Sequence, residues 1–327
     1  MNKLIILTGP TAVGKTNLSI SLAKAVNGEI VSADSMQVYR GMDIGSAKIS
    51  DSEKQGVPHH LIDILDPTEE FNVVSFKEYC EKAFQDIYQR GHVPVLVGGT
   101  GFYIQAVLKD IDFTETERDE AFRKELEHVA NTEGPMKVYE MLKEVDPESA
   151  IAIPPGNVKR CIRALEYYKL TGEKISVHNE RERMRPNAYD AFYFVLNDDR
   201  EKLYSRIGMR VDAMMEQGLV EEVERLREQG CVRGMTSMQG IGYKEILDYL
   251  DGFCSLDEAV ERIKLETRHF AKRQLTWFRR ERDVIWMNRP DFPGGGSDAE
   301  LLNFMLKRMQ EKKDSGADIT KRIKEPI

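Results

Sequence analysis

The 327-residue chain has few cysteines, few tryptophans and no long apolar run. Each shortage narrows what it can be. The four cysteines, Cys80, Cys161, Cys231 and Cys254, show no C-x-x-C spacing, so they suggest neither a zinc cluster nor a disulfide framework and read as buried free thiols. The six histidines are dispersed apart from His59-His60, which stand too close for the i, i+4 pairing of a helical metal site. No apolar stretch approaches the roughly 18 residues that span a bilayer, and the chain opens on an apolar strand pattern rather than a signal peptide. A cytoplasmic protein with no membrane partner is expected, and with no visible dimerisation surface a monomer is expected too.

What is present is a substantial core, from 41% hydrophobic content, in a length that suggests about two domains. Residues Gly9, Pro10, Thr11, Ala12, Val13, Gly14, Lys15 and Thr16 match G-x-x-x-x-G-K-[ST] without a gap and follow the apolar run Leu4–Leu7. The physical reading is a strand that feeds a phosphate cradle. The glycines let backbone N–H groups turn inward on an anion, Lys15 adds a point charge and Thr16 offers a hydroxyl to Mg²⁺. The following helix aims its N-terminal dipole at the same spot.

Strand and helix then alternate. Leu4–Leu7, Glu29–Ala33 and Val93–Val97 have strand character, and Thr16–Val26 and Ser75–Arg90 have helical spacing. This alternation implies a parallel sheet of βαβ units with ligands at the strand C-termini. From Glu115 to about Arg185 the sequence turns charged and helical, with helices expected over Glu115–Val129, Met136–Glu144 and Val158–Leu170. Ala191–Leu196 reads as the last strand, followed by helices at about Arg200–Gln217, Val220–Gln229 and Leu256–Arg280. Beyond Pro290, Gly294–Ser297 reads as a flexible break before a short helix from Asp298 to about Gln310 and a charged, poorly ordered end. The expected fold class is α/β, a P-loop NTPase-like parallel sheet flanked by helices. Residues 1–112 and 190–288 would form a discontinuous core, 113–189 an inserted helical domain and 289–327 a tail.

A P-loop ATPase or kinase has a second apolar strand ending in Asp to hold Mg²⁺. Here Pro94–Val97 runs into Gly98-Gly99-Thr100-Gly101, which lacks a carboxylate. That loop allows close backbone approach and supplies the Thr100 hydroxyl, a better fit to a second phosphate contact than to ATP hydrolysis. The carboxylate stands elsewhere: Glu29–Ala33 leads straight into Asp34, at a strand end beside the phosphate loop, although a capping or turn aspartate would look the same. Charge is unevenly spread. The net charge of −8 speaks against nucleic acid, yet Arg268–Arg282 carries six Lys/Arg against one acid. On a helix, Arg268, Lys272, Arg279 and Arg282 would fall within an arc of about 80°; a solvated helix face is the alternative reading.

Seven ordered blocks resemble a known family: GPTAVGKT at 9–16, DSMQVYRGMDIGSAK at 34–48, PHHLIDILDP at 58–67, VGGTGFYI at 97–104, KRCIRALE at 159–166, GIGYKE at 240–245 and AKRQLTWFR at 271–279. They are similar to the tRNA dimethylallyltransferases, over roughly residues 3–286. Ser46 stands where members usually carry Thr, which keeps the hydroxyl, and the zinc-finger extension of eukaryotic members is absent, so the resemblance is to the bacterial form. It implies transfer of the dimethylallyl group from dimethylallyl diphosphate to N6 of adenosine 37, in tRNAs reading codons that begin with U, with Mg²⁺ as cofactor. It assigns Asp34 as the base that takes the N6 proton. Lys15, Thr100, the Thr11–Thr16 amides and one arginine, Arg210 in preference to Arg206, would form the anion hole of the leaving diphosphate.

The resemblance also places tRNA contacts on Asp34, Ser35, Met36 and Gln37, on Thr100, and on Lys159, Arg160, Cys161, Ile162 and Arg163. Further contacts fall on Gln239, Gly240, Ile241, Gly242, Tyr243 and Lys244, and on Lys272, Arg273, Gln274, Leu275, Thr276, Trp277, Phe278 and Arg279. Of these, Trp277, Gly240 and Gly242 read more readily as structural. The insertion would grip the anticodon stem, with Arg123, Lys124, Lys159, Arg160 and Arg163 neutralising phosphates. A small-molecule P-loop kinase would leave the basic segment idle, and a catalytically silent RNA-binding module would leave the phosphate loop unexplained.

Overall fold

The structure, a computed structural model, describes residues 1–113 and 119–315. The chain divides into two compact units, Met1–Leu108 with the chain from Ala188 onward, and Lys109–Asn187. The first holds a sheet of six parallel strands: β1 (Lys3–Thr8), β2 (Gly28–Ala33), β3 (His59–His60), β4 (Val93–Gly98), β5 (Asp190–Asn197) and β6 (Val284–Asn288). Their order is β3-β2-β4-β1-β5-β6. Helices α1 (Lys15–Val26), α2 (Asp51–Lys54), α3 (Val73–Gln89) and α4 (Gly101–Leu108) belong to this unit. The second unit holds α5 (Glu120–Thr132), α6 (Pro135–Val145), α7 (Pro147–Ala152), α8 (Val158–Thr171) and α9 (Ile175–Met184). The chain then returns to the first unit with α10 (Arg200–Glu216), α11 (Leu219–Glu228), α12 (Tyr243–Leu250), α13 (Leu256–Phe278) and α14 (Asp298–Ser315).

A parallel sheet covered on both faces needs strands that are apolar throughout, because alternate side chains enter opposite layers. In β1, Leu4 and Ile6 pack into one core layer and Ile5 and Leu7 into the other, all fully buried. β5 divides its residues the same way, with Tyr193 and Val195 on one side and Phe192, Phe194 and Leu196 on the other. Registry then sets the site. Gly98 pairs with both Ala33 and Thr8, so β2, β4 and β1 end side by side and the loops that follow them emerge together. The Thr8 hydroxyl donates to the Gly98 carbonyl at 2.7 Å and secures that end of the sheet. At the opposite end of β2, the buried Glu29 accepts from Arg90, His60 and His92, and the Arg90 guanidinium leads in holding its carboxyl down to about 2.

The second unit closes around Leu126, Val138, Leu142, Cys161 and Leu165. Asn157 caps α8 by accepting from the Arg160 N–H, and Gly172 ends that helix in the left-handed region. The helix expected from Glu115 begins at Glu120, where the Asp119 side chain accepts from the Phe122 N–H; residues 114–118 lie outside the described residues.

The structure corrects several expectations. Ala191–Leu196 is not the last strand, because Val284–Asn288 adds a sixth beside it. The helix expected to run to Arg280 ends at Phe278, so Arg279 caps it and Arg282 lies in the bend beyond. The segment expected to be a flexible break is a hydrogen-bonded turn: Glu300 accepts from the N–H groups of Gly294 and Ser297, and Arg289 donates to the Gly296 carbonyl. The helix after it runs to Ser315, five residues past Gln310, with Leu301 and Met305 fully buried. The charged end from residue 316 lies outside the described residues.

Candidate active site

The three loops that leave β1, β2 and β4 line one cavity of about 550 Å³. Residues 11–16 form one wall, with Gly14 at φ 94° turning the chain into α1, a conformation cheap for glycine and costly for any residue with a Cβ. The Lys15 ammonium donates to the Gly9 and Pro10 carbonyls, at 2.9 and 2.8 Å. Asp34 and Thr100 line the same space, and the Asp34 carboxylate accepts from the Met36 N–H at 2.9 Å, a local bond that fixes its direction. Arg210 reaches the cavity from α10. Arg206, one turn earlier, is instead paired with the buried Asp198 at 2.5 Å.

These charges act on one another. Burial, and then the Arg210 guanidinium, bring Lys15 down to about 7, partly offset by Asp34. Burial pushes the Asp34 carboxyl up, against the Met36 N–H and Lys15. Arg210 is lowered by the same burial. A concave site with two shifted cations beside an acid whose basicity is raised can receive an anion and also a proton.

Gln274, buried on α13, joins two of the loops: its amide oxygen accepts from the Thr11 N–H at 2.8 Å and its amide nitrogen donates to the Gly99 carbonyl at 2.9 Å. The sequence placed Gln274 in an RNA-contacting segment, and its role as a strut between loops was missed because both partners lie far away in the chain. Glu222 was missed altogether: its buried carboxylate accepts from the N–H groups of Asp43, Ile44 and Gly45.

Of the other residues singled out, Ser35, Met36 and Gln37 line the cavity after Asp34, and Gln239, Gly240, Ile241, Lys244 and Arg273 line it from the C-terminal half. Gly9 and Pro10 lie behind the wall and offer their carbonyls to Lys15. Gly242 caps α12, and Lys272, Thr276 and Arg279 are exposed on α13 and its cap. Leu275 is half-buried, and so is Trp277, which stands edge-on to Phe102 with ring centroids 6.0 Å apart.

Several of these residues lie elsewhere than expected. Tyr243 and Phe278 are fully buried and Cys161 and Ile162 pack in the helical unit's core, so their side chains present no surface to an RNA. Arg123 and Arg163 are tied to the buried Glu166, Arg123 through two bonds of 2.7 Å, whereas Lys124, Lys159 and Arg160 are exposed. The basic stripe is not one helix face. Arg268 is half-buried with its guanidinium over the Tyr204 ring and its Nε buried without a partner, and Arg282 is off the helix.

Residues 37–281 match the family model described as IPP transferase. This chain belongs to the IPP transferase family. As a member of that family it is a prenyltransferase. It is 60% identical over 312 residues to a tRNA dimethylallyltransferase of Lachnoclostridium phytofermentans, covering 95% of this chain and 99% of the relative. Among solved structures, the tRNA isopentenylpyrophosphate transferase of Bacillus halodurans is 44% identical with a TM-score of 0.72, covering 97% of this chain and 99% of that one. A eukaryotic dimethylallyltransferase captured acting on tRNA is 30% identical with a TM-score of 0.76, covering 98% and 81%.

Proposed function

We propose that this IPP transferase moves the dimethylallyl group of dimethylallyl diphosphate onto N6 of adenosine 37, in tRNAs that read codons beginning with U. The observation that carries the reading is the meeting of the phosphate loop, Asp34, Thr100 and Arg210 in one cavity. Adenine N6 is a poor nucleophile because its lone pair is delocalised into the ring. As that lone pair closes on the allylic carbon, the carbon–oxygen bond breaks toward the diphosphate and the N6 proton passes to the Asp34 carboxylate. The departing diphosphate gathers charge where residues 11–16, Lys15, the Thr100 hydroxyl and Arg210 already converge.

The residues present also fit Mg²⁺. Thr16 lies exposed at the start of α1 on the cavity wall, a single hydroxyl of the kind that suffices when substrate phosphates and waters complete the coordination. Bound there, the ion would neutralise diphosphate charge. No group of three or more His, Cys, Asp or Glu able to hold a metal occurs among the described residues, which is consistent with a metal held mainly by its substrate.

The test is direct. The protein is incubated with unmodified tRNA and Mg²⁺, and with either dimethylallyl diphosphate labelled in the allyl group or ATP labelled in the γ-phosphate. Allyl label in the RNA at adenosine 37 is the expected result. Transfer or release of γ-phosphate would favour a kinase or motor and overturn the reading.

A further inference from the structure

Glu222, on α11, is 1% exposed and takes no part in the transfer chemistry described above. Its two oxygens accept three consecutive main-chain N–H groups, from Asp43 at 2.9 Å, Ile44 at 2.8 Å and Gly45 at 3.1 Å, and the Tyr243 hydroxyl at 2.7 Å. Successive amides turned to one point form an anion-binding nest, and here the anion is supplied by the protein itself. The chain it seizes is a wall of the cavity, lined by Gly45, Ser46 and Ala47. Tyr243 packs directly beneath: a Cβ on Gly45 would lie 2.6 Å from its ring, so only glycine lets the backbone settle there. The far end is held as well, by the buried Lys48 ammonium, which donates to the Tyr39 carbonyl and to the Asp43 and Asp63 carboxylates.

What this turn presents to Gln37 is a pair of carbonyls. Those of Ser46 and Ala47 each lie 3.4 Å from the Gln37 side-chain nitrogen, while the Ser32 hydroxyl donates to the Gln37 oxygen at 3.1 Å. The turn therefore determines which end of the Gln37 amide points which way. We infer that Glu222 is a positioning residue for the acceptor base: by fixing the Asp43–Ala47 turn it orients the Gln37 amide, the polar edge against which the purine is held. The inference rests on the reading that this cavity receives the adenine.

The variant Glu222→Gln replaces one acceptor oxygen with an NH₂ that opposes the amides, and Tyr243→Phe removes one of the four donors. Kinetics are measured with dimethylallyl diphosphate and an anticodon stem-loop, with inorganic pyrophosphate as a probe of the donor side. Glu222→Gln should raise the KM for the stem-loop about tenfold, the scale of a displaced hydrogen-bonding group, with donor KM and pyrophosphate inhibition within about twofold of wild type. In a Gln37→Ala background the same substitution should add almost nothing, because the group it orients is gone. Additive losses, or a donor KM that rises in step with the stem-loop KM, would overturn the inference and leave Glu222 as a general fold element. If Glu222→Gln does not fold, Tyr243→Phe carries the same test with an expected change of about threefold, again absent in the Gln37→Ala background. A wild-type protein that transferred nothing to the stem-loop would sink the reading of the whole site, an outcome distinct from additivity.

Discussion

Lys15 and Asp34 sit in the cavity at pKa values displaced toward each other, Lys15 at about 7 and Asp34 above its ordinary range, because burial penalises both charges. A bound diphosphate would draw Lys15 back up. Below about pH 7 the ammonium is protonated whether or not the donor is bound, so this group adds no pH dependence there. Above it, the free protein loses a proton that the complex keeps, and donor affinity should fall by up to about tenfold per pH unit. Calorimetry in buffers of different ionisation enthalpy should show proton uptake on binding pyrophosphate at pH 8. Lys15→Met should remove that uptake, leaving only the titration of pyrophosphate itself; equal uptake by both proteins would place the proton elsewhere. Asp34→Ala should lower the single-turnover rate by about 10²–10⁴ while tRNA binding changes little, and a near-normal rate would remove Asp34 from the chemistry. At this scale the phosphate loop and Asp34 were legible because each is a contiguous pattern at the end of an apolar strand. Gln274 and Glu222 were not, since the amides they hold lie 263 and up to 179 positions away in the chain, a separation that no local spacing encodes.

Among elements, those with strong periodicity were readable and those defined by surroundings were not. Strands β1, β2, β4 and β5 announce themselves as apolar runs, whereas α4 is apolar nearly all round with no stripe to betray a helix, and β6 is a five-residue strand at the sheet edge. The helix α13 shows the cost of reading a surface from spacing alone. Toward its C-terminal end the exposed cations are Lys272 and Arg273, with Arg279 at the cap, while Arg268 leans on Tyr204 between α13 and α10. If this helix lies along RNA, reversing Lys272 and Arg279 to Glu should weaken stem-loop binding. It should also flatten the dependence of log Kd on log salt by roughly 0.7 to 0.9 per lost phosphate contact. Melting should be unaffected because both side chains are in water. Arg268→Glu should instead lower the melting temperature, by placing a carboxylate where a half-buried guanidinium packs on a ring. An unchanged salt slope in the double reversal would make α13 a solvated face, as the alternative reading of its sequence had it.

The whole molecule places the chemistry and the helical insertion on separately cored units. The described residues of the insertion pack around their own cluster, from Leu126 to Leu165, and the chain leaves and re-enters the sheet unit at adjacent points, where the Ala188 N–H donates to the Leu108 carbonyl at 2.8 Å. The cavity is lined entirely by residues of the sheet unit. Removing residues 109–187 and bridging Leu108 to Ala188 with a short Gly-Ser turn should therefore leave a protein that melts cooperatively, because its own two core layers are intact. That protein should bind pyrophosphate within a few-fold of the full chain. Its affinity for the anticodon stem-loop should fall by at least about tenfold if exposed cations such as Lys159 and Arg160 hold phosphates of the stem, with a shallower salt dependence to match. Dimethylallyl transfer to the stem-loop should then recover in part at high RNA concentration, since only binding has been lost. Should the shortened protein hold the stem-loop as tightly as the full chain does, the grip on RNA resides in the sheet unit, and the insertion would need another purpose.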